Sequence, residues 1–431
     1  MTADHPSTGE LAPPGQSLAA SRPAGPRPLA VQLALLLPAT AAMYSVFQGM
    51  QAVLLPQQVE QLGGDDKVSA LAVLAALGAL IATVFGPIAG AISDRTRSRF
   101  GRRAPWLLVT PLLAALGLLL LAGQRQYFLL GAVYCLVMLV MGCYQAVITA
   151  IVPDRVPVAR RGTASAIVGI ALPIGVLFGV NMVSRVFTTP LGGYAVLGGT
   201  LVVFALLFVF LAKDQPVLAA APPRPGGFGR AITTFFSSFR VADFSWAFAA
   251  RALYMFGYWA IASYLLYTLQ DYVERDSIPG GDPVAAVGTL TSVGMIALLI
   301  GTFLGGWLSD VLKRRKAIVI AASLVCAASL VIPLAHPAFS GMLVFEAING
   351  FGFGAYLAAD TALMTLVLPG TEDNGRDLGI LNVAATIPQV LAQFVGALVI
   401  TFAGGYPGLF VFAIACSLLG AVAILPITSV R

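Results

Sequence analysis

Apolar positions along this chain come in stretches of about twenty residues, separated by short polar or basic segments. A helix of that length, rising ~1.5 Å per residue, matches the ~30 Å hydrocarbon core of a bilayer. The pattern predicts helices near 31–55, 68–93, 105–123, 127–151, 163–185 and 194–212. A second set follows near 244–269, 283–309, 317–335, 341–368, 379–402 and 408–426. Residues 1–28 are rich in Pro, Ala and Ser without an apolar core, and read as a disordered tail, not a signal peptide. Residues 214–243 read as a linker. Within it, FGRAITTFFSSFR (228–240) sets Phe228, Ile232, Phe235 and Phe239 on one side, as in a short interfacial helix.

Composition agrees. The chain of 431 residues is 58% hydrophobic and 10% charged, whereas soluble domains are about 25% charged. Its 45 glycines and 27 prolines suit membrane helices, which tolerate both. The expected fold is an all-α polytopic membrane protein: twelve transmembrane helices in two six-helix bundles, 29–213 and 244–431. The net charge of +6 implies no nucleic acid, because the basic residues sit in short loops between spans. All four cysteines (Cys135, Cys143, Cys326, Cys416) fall inside apolar spans as packing residues.

With the N-terminus placed in the cytoplasm, 20 of the 25 Lys and Arg fall on the cytoplasmic side. That bias predicts a multi-pass protein of the plasma (inner) membrane with both termini cytoplasmic. Five of these residues (Arg95, Arg97, Arg99, Arg102, Arg103) crowd one loop, where a topology anchor touching anionic lipid is the plain explanation.

An internal repeat adds to that explanation. At an offset of 216 residues, AGAISD (89–94) corresponds to GGWLSD (305–310), pairing Gly90 with Gly306 and Asp94 with Asp310. Each Asp precedes a basic run, and Pro153 recurs as Pro369. Six spans duplicated into twelve form the layout of a two-bundle secondary transporter. The pattern G-x-x-x-D-R…G-R-R, on Gly90, Asp94, Arg95, Gly101, Arg102 and Arg103, resembles the signature loop of the major facilitator superfamily. Its longer form, SDRTRSRFGRRAPWLL, is similar to the glycoside–pentoside–hexuronide:cation symporters and the sucrose transporters. The resemblance implies a gate: Asp94 meets the start of helix 11 near Leu378 and Gly379, and Asp310 meets helix 5 near Gly162. Arg314 and Arg315 complete the second-half copy. Such contacts would exist only while the cytoplasmic side is shut.

Of 19 acidic residues, Glu346 and Asp360 alone lie within spans, both in helix 10. A charge there costs at least ~2.5–3.5 kcal/mol on insertion scales, so a partner or a cavity is expected. Arg251, the one basic residue in a span interior, lies at the depth of Asp360 and predicts an Arg251–Asp360 pair. Arg251, Asp360 and Glu346 are the candidate coupling residues. The resemblance implies acids inside helix 2 for sodium coupling, yet 69–93 carry none. The proton is therefore the expected ion, without any cofactor or metal.

Substrate candidates are Gln48 and Gln51 in helix 1, Tyr254 and Tyr258 in helix 7, Asn349 in helix 10 and Gln389 in helix 11. Trp259, Gln393, Asn181 and Gln145 are secondary candidates. Amides that bond hydroxyls and aromatic faces that stack on sugar rings suit a neutral polyhydroxylated ligand. The same residue types also glue membrane helices together. No G-K-[ST] motif occurs, which excludes a phosphate-loop pump, and two histidines outside the spans offer little to a metalloenzyme. The expectation is a non-enzymatic secondary transporter, working as a monomer in the bilayer on a small molecule by proton-coupled symport of a sugar or glycoside. The alternatives are proton-driven efflux of a drug-like metabolite and a non-transporting receptor or scaffold.

Overall fold

The structure, a computed structural model, describes residues 29–63, 66–98, 101–156, 160–212, 239, 242–367 and 374–427. The tail 1–28 and nearly all of the 228–240 segment lie outside these residues, as do the Leu378 side chain and the surroundings of Gly379 and Gly162. Helices dominate. In chain order they are α1 (Ala30–Leu62), α2 (Lys67–Arg95), α3 (Ala104–Ala122), α4 (Tyr127–Thr149), α5 (Ala164–Val186) and α6 (Pro190–Ala212). The second set begins with α7, broken into Ala242–Ser263 and Leu265–Asp271, followed by α8 (Pro283–Leu312), α9 (Arg315–Ala335) and α10 (Phe339–Met364). It closes with α11 (Asn374–Phe402) and α12 (Gly405–Ile424). Among the described residues, ten helices are long and apolar enough to cross a membrane, and the bent α7 makes an eleventh. α11, with its described apolar part at Thr386–Phe402, completes the set of twelve.

The helices pack as two groups of six. In the first, α1 lies against α5 and α6, α2 against α4, and α3 against α6; in the second, α7 lies against α11 and α12, and α8 and α9 against α10. The groups meet along α2–α11 and α5–α8. Those are equivalent positions in the two repeats. Bulky apolar side chains face outward around the whole body, including Leu116, Phe303 and Phe402. In water such a surface would aggregate; in a bilayer it is the expected lipid-facing surface.

Small residues set the tightest contacts. A Cβ on Gly301 would lie 2.0 Å from the Phe351 carbonyl oxygen, and one on Gly354 would lie 2.1 Å from that of Leu298. α8 and α10 therefore touch backbone to backbone, as small residues permit where apolar solvent gives no hydrophobic drive. The repeat pairing singled out Gly90 and Gly306, but added Cβ atoms there would find ordinary contacts at 3.9 and 3.8 Å. The crowded second-half position is Gly305, where a Cβ would meet Ala355 Cα at 2.6 Å.

Three helices around the centre depart from α geometry at related depths. α1 contains a π turn at Met50–Leu54 and α5 ends in another at Met182–Val186. α7 bends by 52° where its two segments meet. α1 and α7 are repeat counterparts, and such irregularities recur at functional sites.

Candidate functional site

A cavity of about 1030 Å³ of empty space, mouth included, lies between the two groups of helices. The first group contributes Gln48, Gln51 and Leu55 from α1, with Leu71, Ala75, Val176 and Val180 from α2 and α5. The second contributes Tyr258–Leu265 from α7, Thr291 and Met295 from α8, Phe345, Glu346 and Asn349 from α10, and Gln393 from α11. Four of the six candidate substrate residues thus converge: Gln48, Gln51, Tyr258 and Asn349. Two do not. Tyr254 is buried behind the wall, stacked on Tyr356 with ring centroids 3.8 Å apart, its hydroxyl donating to Cys326 Sγ at 3.0 Å. Gln389 is absent from the lining, where Gln393, about one turn further along α11, takes the place.

The amides separate by what they bond. Gln58 is structural, accepting from the Tyr194 hydroxyl at 2.6 Å and donating to the Leu121 carbonyl at 3.1 Å. Asn181 donates to Ser292 Oγ at 2.9 Å and so joins α5 to α8. The side-chain amides of Gln48, Asn349 and Gln393 have no hydrogen-bond partner among the described residues, and Gln393 Oε1 is a buried acceptor left unpaired. Unpaired buried amides are costly, and at a cavity wall their natural partner is a ligand.

Behind the cavity, Arg251 Nη1 lies 3.0 Å from Asp360 Oδ2, joining α7 to α10. Asp360 is buried and Arg251 largely so, and the contact is off-axis: Asp360 Oδ2 and Arg251 Nε each lack a well-directed hydrogen bond. An aromatic stack connects this pair to the cavity. Tyr356 stacks on Tyr254, which lies near Phe353 (6.1 Å), which in turn stacks on Tyr258 (3.8 Å) at the cavity wall. Glu346 is different. It lines the cavity and makes no hydrogen bond or ion pair with any described residue, its carboxylate lying over Gly294, where a Cβ would come within 2.7 Å of Oε2.

A sequence profile of the major facilitator superfamily matches residues 37–277 and 281–430, nearly the whole chain. The chain belongs to the major facilitator superfamily. It is a multi-pass membrane transporter and not an enzyme. Among solved structures, this superfamily member is similar to a bacterial homolog of the human lysosomal transporter Spinster in an inward-facing, unoccupied conformation. That similarity has a TM-score of 0.63 and 14% identity over 92% of this chain and 93% of the other. It is also similar to the peptide transporter POT in complex with sulfate, with a TM-score of 0.72 and 16% identity over 92% and 94% of the two chains. At those identities the likeness speaks for the fold. No functionally curated protein matches the sequence.

In this transporter one end of the cavity is sealed by bonds between the bundles. Lys67 Nζ lies 2.8 Å from Asp271 Oδ1 and 3.1 Å from Glu60 Oε1, and 4.8 Å above the Tyr267 ring. Gln270 donates to Glu60 Oε2 at 2.9 Å, and the Tyr406 hydroxyl donates to Asp271 Oδ2 at 2.6 Å. Tyr267 donates to the Pro56 carbonyl at 2.9 Å, and Arg185 to Thr289 Oγ1 at 2.5 Å. No motif marked these residues. They are charged and polar residues at or near the ends of apolar helices, and the contacts between bundles join positions far apart in sequence.

The arginine-rich loop lies at the other end. Its Gly101 holds φ +102°, a left-handed turn that favours glycine. Buried Arg103 binds Asp94 Oδ1 (2.5 Å), Ser93 Oγ (2.9 Å) and Asp154 Oδ2 (3.0 Å), while Arg102 binds Asp154 at 2.6 Å. The described partners of Asp94 are thus within its own bundle, and the expected approach to Leu378 and Gly379 lies outside the described residues. Asp154, absent from the sequence candidates, is the second anchor of the loop. Arg95 and Arg314 are exposed. The second-half copy is looser: Asp310 is exposed without an ion pair among the described residues, and Ser309, counterpart of Ser93, has an unpaired hydroxyl. Arg315 donates to the Ala362 carbonyl at 3.1 Å instead.

Proposed function

We propose that this transporter carries a sugar or glycoside in symport with protons by alternating access, as a monomer in the plasma membrane with both termini cytoplasmic. The observation that carries the substrate class is the convergence of Gln48, Asn349 and Gln393, from both bundles and without protein partners, beside the rings of Tyr258 and Trp259. Amides can donate to and accept from hydroxyls, and aromatic faces cover the apolar side of a sugar ring. The excess of Lys and Arg at the loop end supports a cytoplasmic assignment for that face. The Lys67 end is then external, and the conformation is inward-facing.

Coupling is assigned to Arg251–Asp360. A proton on Asp360 removes the charge that holds Arg251, and the Tyr356–Tyr254–Phe353–Tyr258 stack links that change to the cavity wall. One charge moved across ~100 mV is worth ~2.3 kcal/mol, about fiftyfold accumulation. No cofactor enters this scheme. The test is proton flux in proteoliposomes enclosing a pH dye. Sugar-dependent acidification abolished by Asp360→Asn is the expected result; flux indifferent to sugars overturns the assignment. A second reading, proton-driven efflux of a cationic compound, is favoured by the lone carboxylate of Glu346. Flux elicited by lipophilic cations alone would select it.

A further inference from the structure

The cavity wall has a charge balance that the amides and rings leave unexplained. Among the described residues its lining includes no Lys, Arg or His, and Glu346 is the one carboxylate there. The nearest internal cation by helix position, Arg251, is held by Asp360 and does not line the cavity. Gly294 leaves room for the carboxylate over α8, but the helix backbone there has no spare donor to offer. Gln393 Oε1, on the same wall, is a second acceptor without a donor. An ionised carboxylate beside a membrane-embedded cavity needs a partner of opposite charge.

Neutral hydroxyls can donate to both acceptors, yet they leave the charge uncompensated. An ammonium group supplies three donors, no acceptor and the missing positive charge. The rings of Tyr258 and Trp259, which line the same cavity, also favour a cation. Resting on the sugar or glycoside reading above, we propose that the substrate is an amine-bearing member of that class: a hydroxyl-rich molecule whose protonated amine seats on Glu346. The free amides of Gln48 and Asn349 then take its hydroxyls. Anionic sugars are excluded by the same lone carboxylate.

The full chain in lipid nanodiscs would be titrated calorimetrically with glucosamine and a diamino glycoside, with glucose and methyl glucoside as neutral counterparts. Tetraphenylphosphonium serves as a cation without hydroxyls. The expected result is at least tenfold tighter binding of the amine-bearing compounds. Glu346→Gln should erase that preference, bringing amine-bearing and neutral compounds to comparable affinity. Gly294→Ala, which displaces the carboxylate, should lower amine affinity more than neutral-sugar affinity and covers the case in which Glu346→Gln fails to fold. Equal affinity for amines and neutral sugars, or a preference that survives Glu346→Gln, overturns the proposal and leaves the sugar reading standing. Binding of tetraphenylphosphonium alone, or of no compound, overturns both.

Discussion

Lys67 Nζ, on the first residue of α2, lies 2.8 Å from Asp271 Oδ1, on the last residue of α7. The two belong to different bundles, so this contact must break whenever that end of the cavity opens. Glu60 shares the same ammonium at 3.1 Å. The side chains are partly exposed, which limits each pair to roughly 0.2–1 kcal/mol.

Removing the shared cation should therefore bias the conformational equilibrium and leave the fold intact. Lys67→Met is expected to raise the population open at this face by about two- to tenfold. Distances between spin labels at the Glu60 end of α1 and the Asp271 end of α7 would report it. The exchange Lys67→Asp with Asp271→Lys should restore part of the closed population. Unchanged distance distributions in Lys67→Met would show that Tyr267, Asn181 and Arg185 hold the seal without it.

Arg251 and Asp360 call for a different outcome, because the carboxylate is buried and the guanidinium largely so. Arg251→Met alone or Asp360→Leu alone strands a charge and should lower stability by about 3–5 kcal/mol, whereas the double replacement should recover most of it. Thermal melting in detergent reads the stability. Transport should stay absent in all three, since a pair that cannot titrate cannot couple. Active transport by the double variant would move coupling elsewhere.

Arg103 binds Ser93, Asp94 and Asp154 in a geometry that a planar guanidinium satisfies and an ammonium cannot. Arg103→Lys should thus behave nearly as badly as Arg103→Met, costing about 1–3 kcal/mol through the lost partner of Asp94 and Ser93, since Asp154 keeps Arg102. The exposed Arg95→Lys should be neutral. Equal tolerance at both positions would reduce the loop to a topology anchor.

The glycine contacts predict a steric ranking. Gly301→Ala and Gly354→Ala push a methyl into backbone 2.0–2.1 Å away and should cost about 1–3 kcal/mol or more, while Gly306→Ala should be nearly silent. Melting temperatures of the three variants, compared in one detergent, test the order.

The architecture was legible in the sequence because apolar length and the repeat of Asp94 as Asp310 are properties of the chain itself. The Arg251–Asp360 contact was also legible: a single buried cation and a buried acid at matching depth leave few other partners. The Lys67 seal was not, since Glu60, Lys67, Asp271 and Tyr406 meet only after the bundles dock. Tyr254 shared a helix face with Tyr258, and periodicity could not tell which ring faces open space and which is stacked. Gln58, Asn181 and Gln393 look alike in sequence; only the presence of a bonded neighbour separates structural amides from free ones.

The backbone contact between α8 and α10 determines how the cavity can close. With their glycines interlocked, those two helices cannot slide or tilt apart, so Glu346, Asn349 and Thr291 sit on a stiff anvil. The jaws are on the other walls, where α1 carries its π turn and α7 its break. If those two irregularities act as hinges, a substrate on the anvil would be gripped as they fold over it, and a variant that straightens either should slow the change of conformation before it weakens binding.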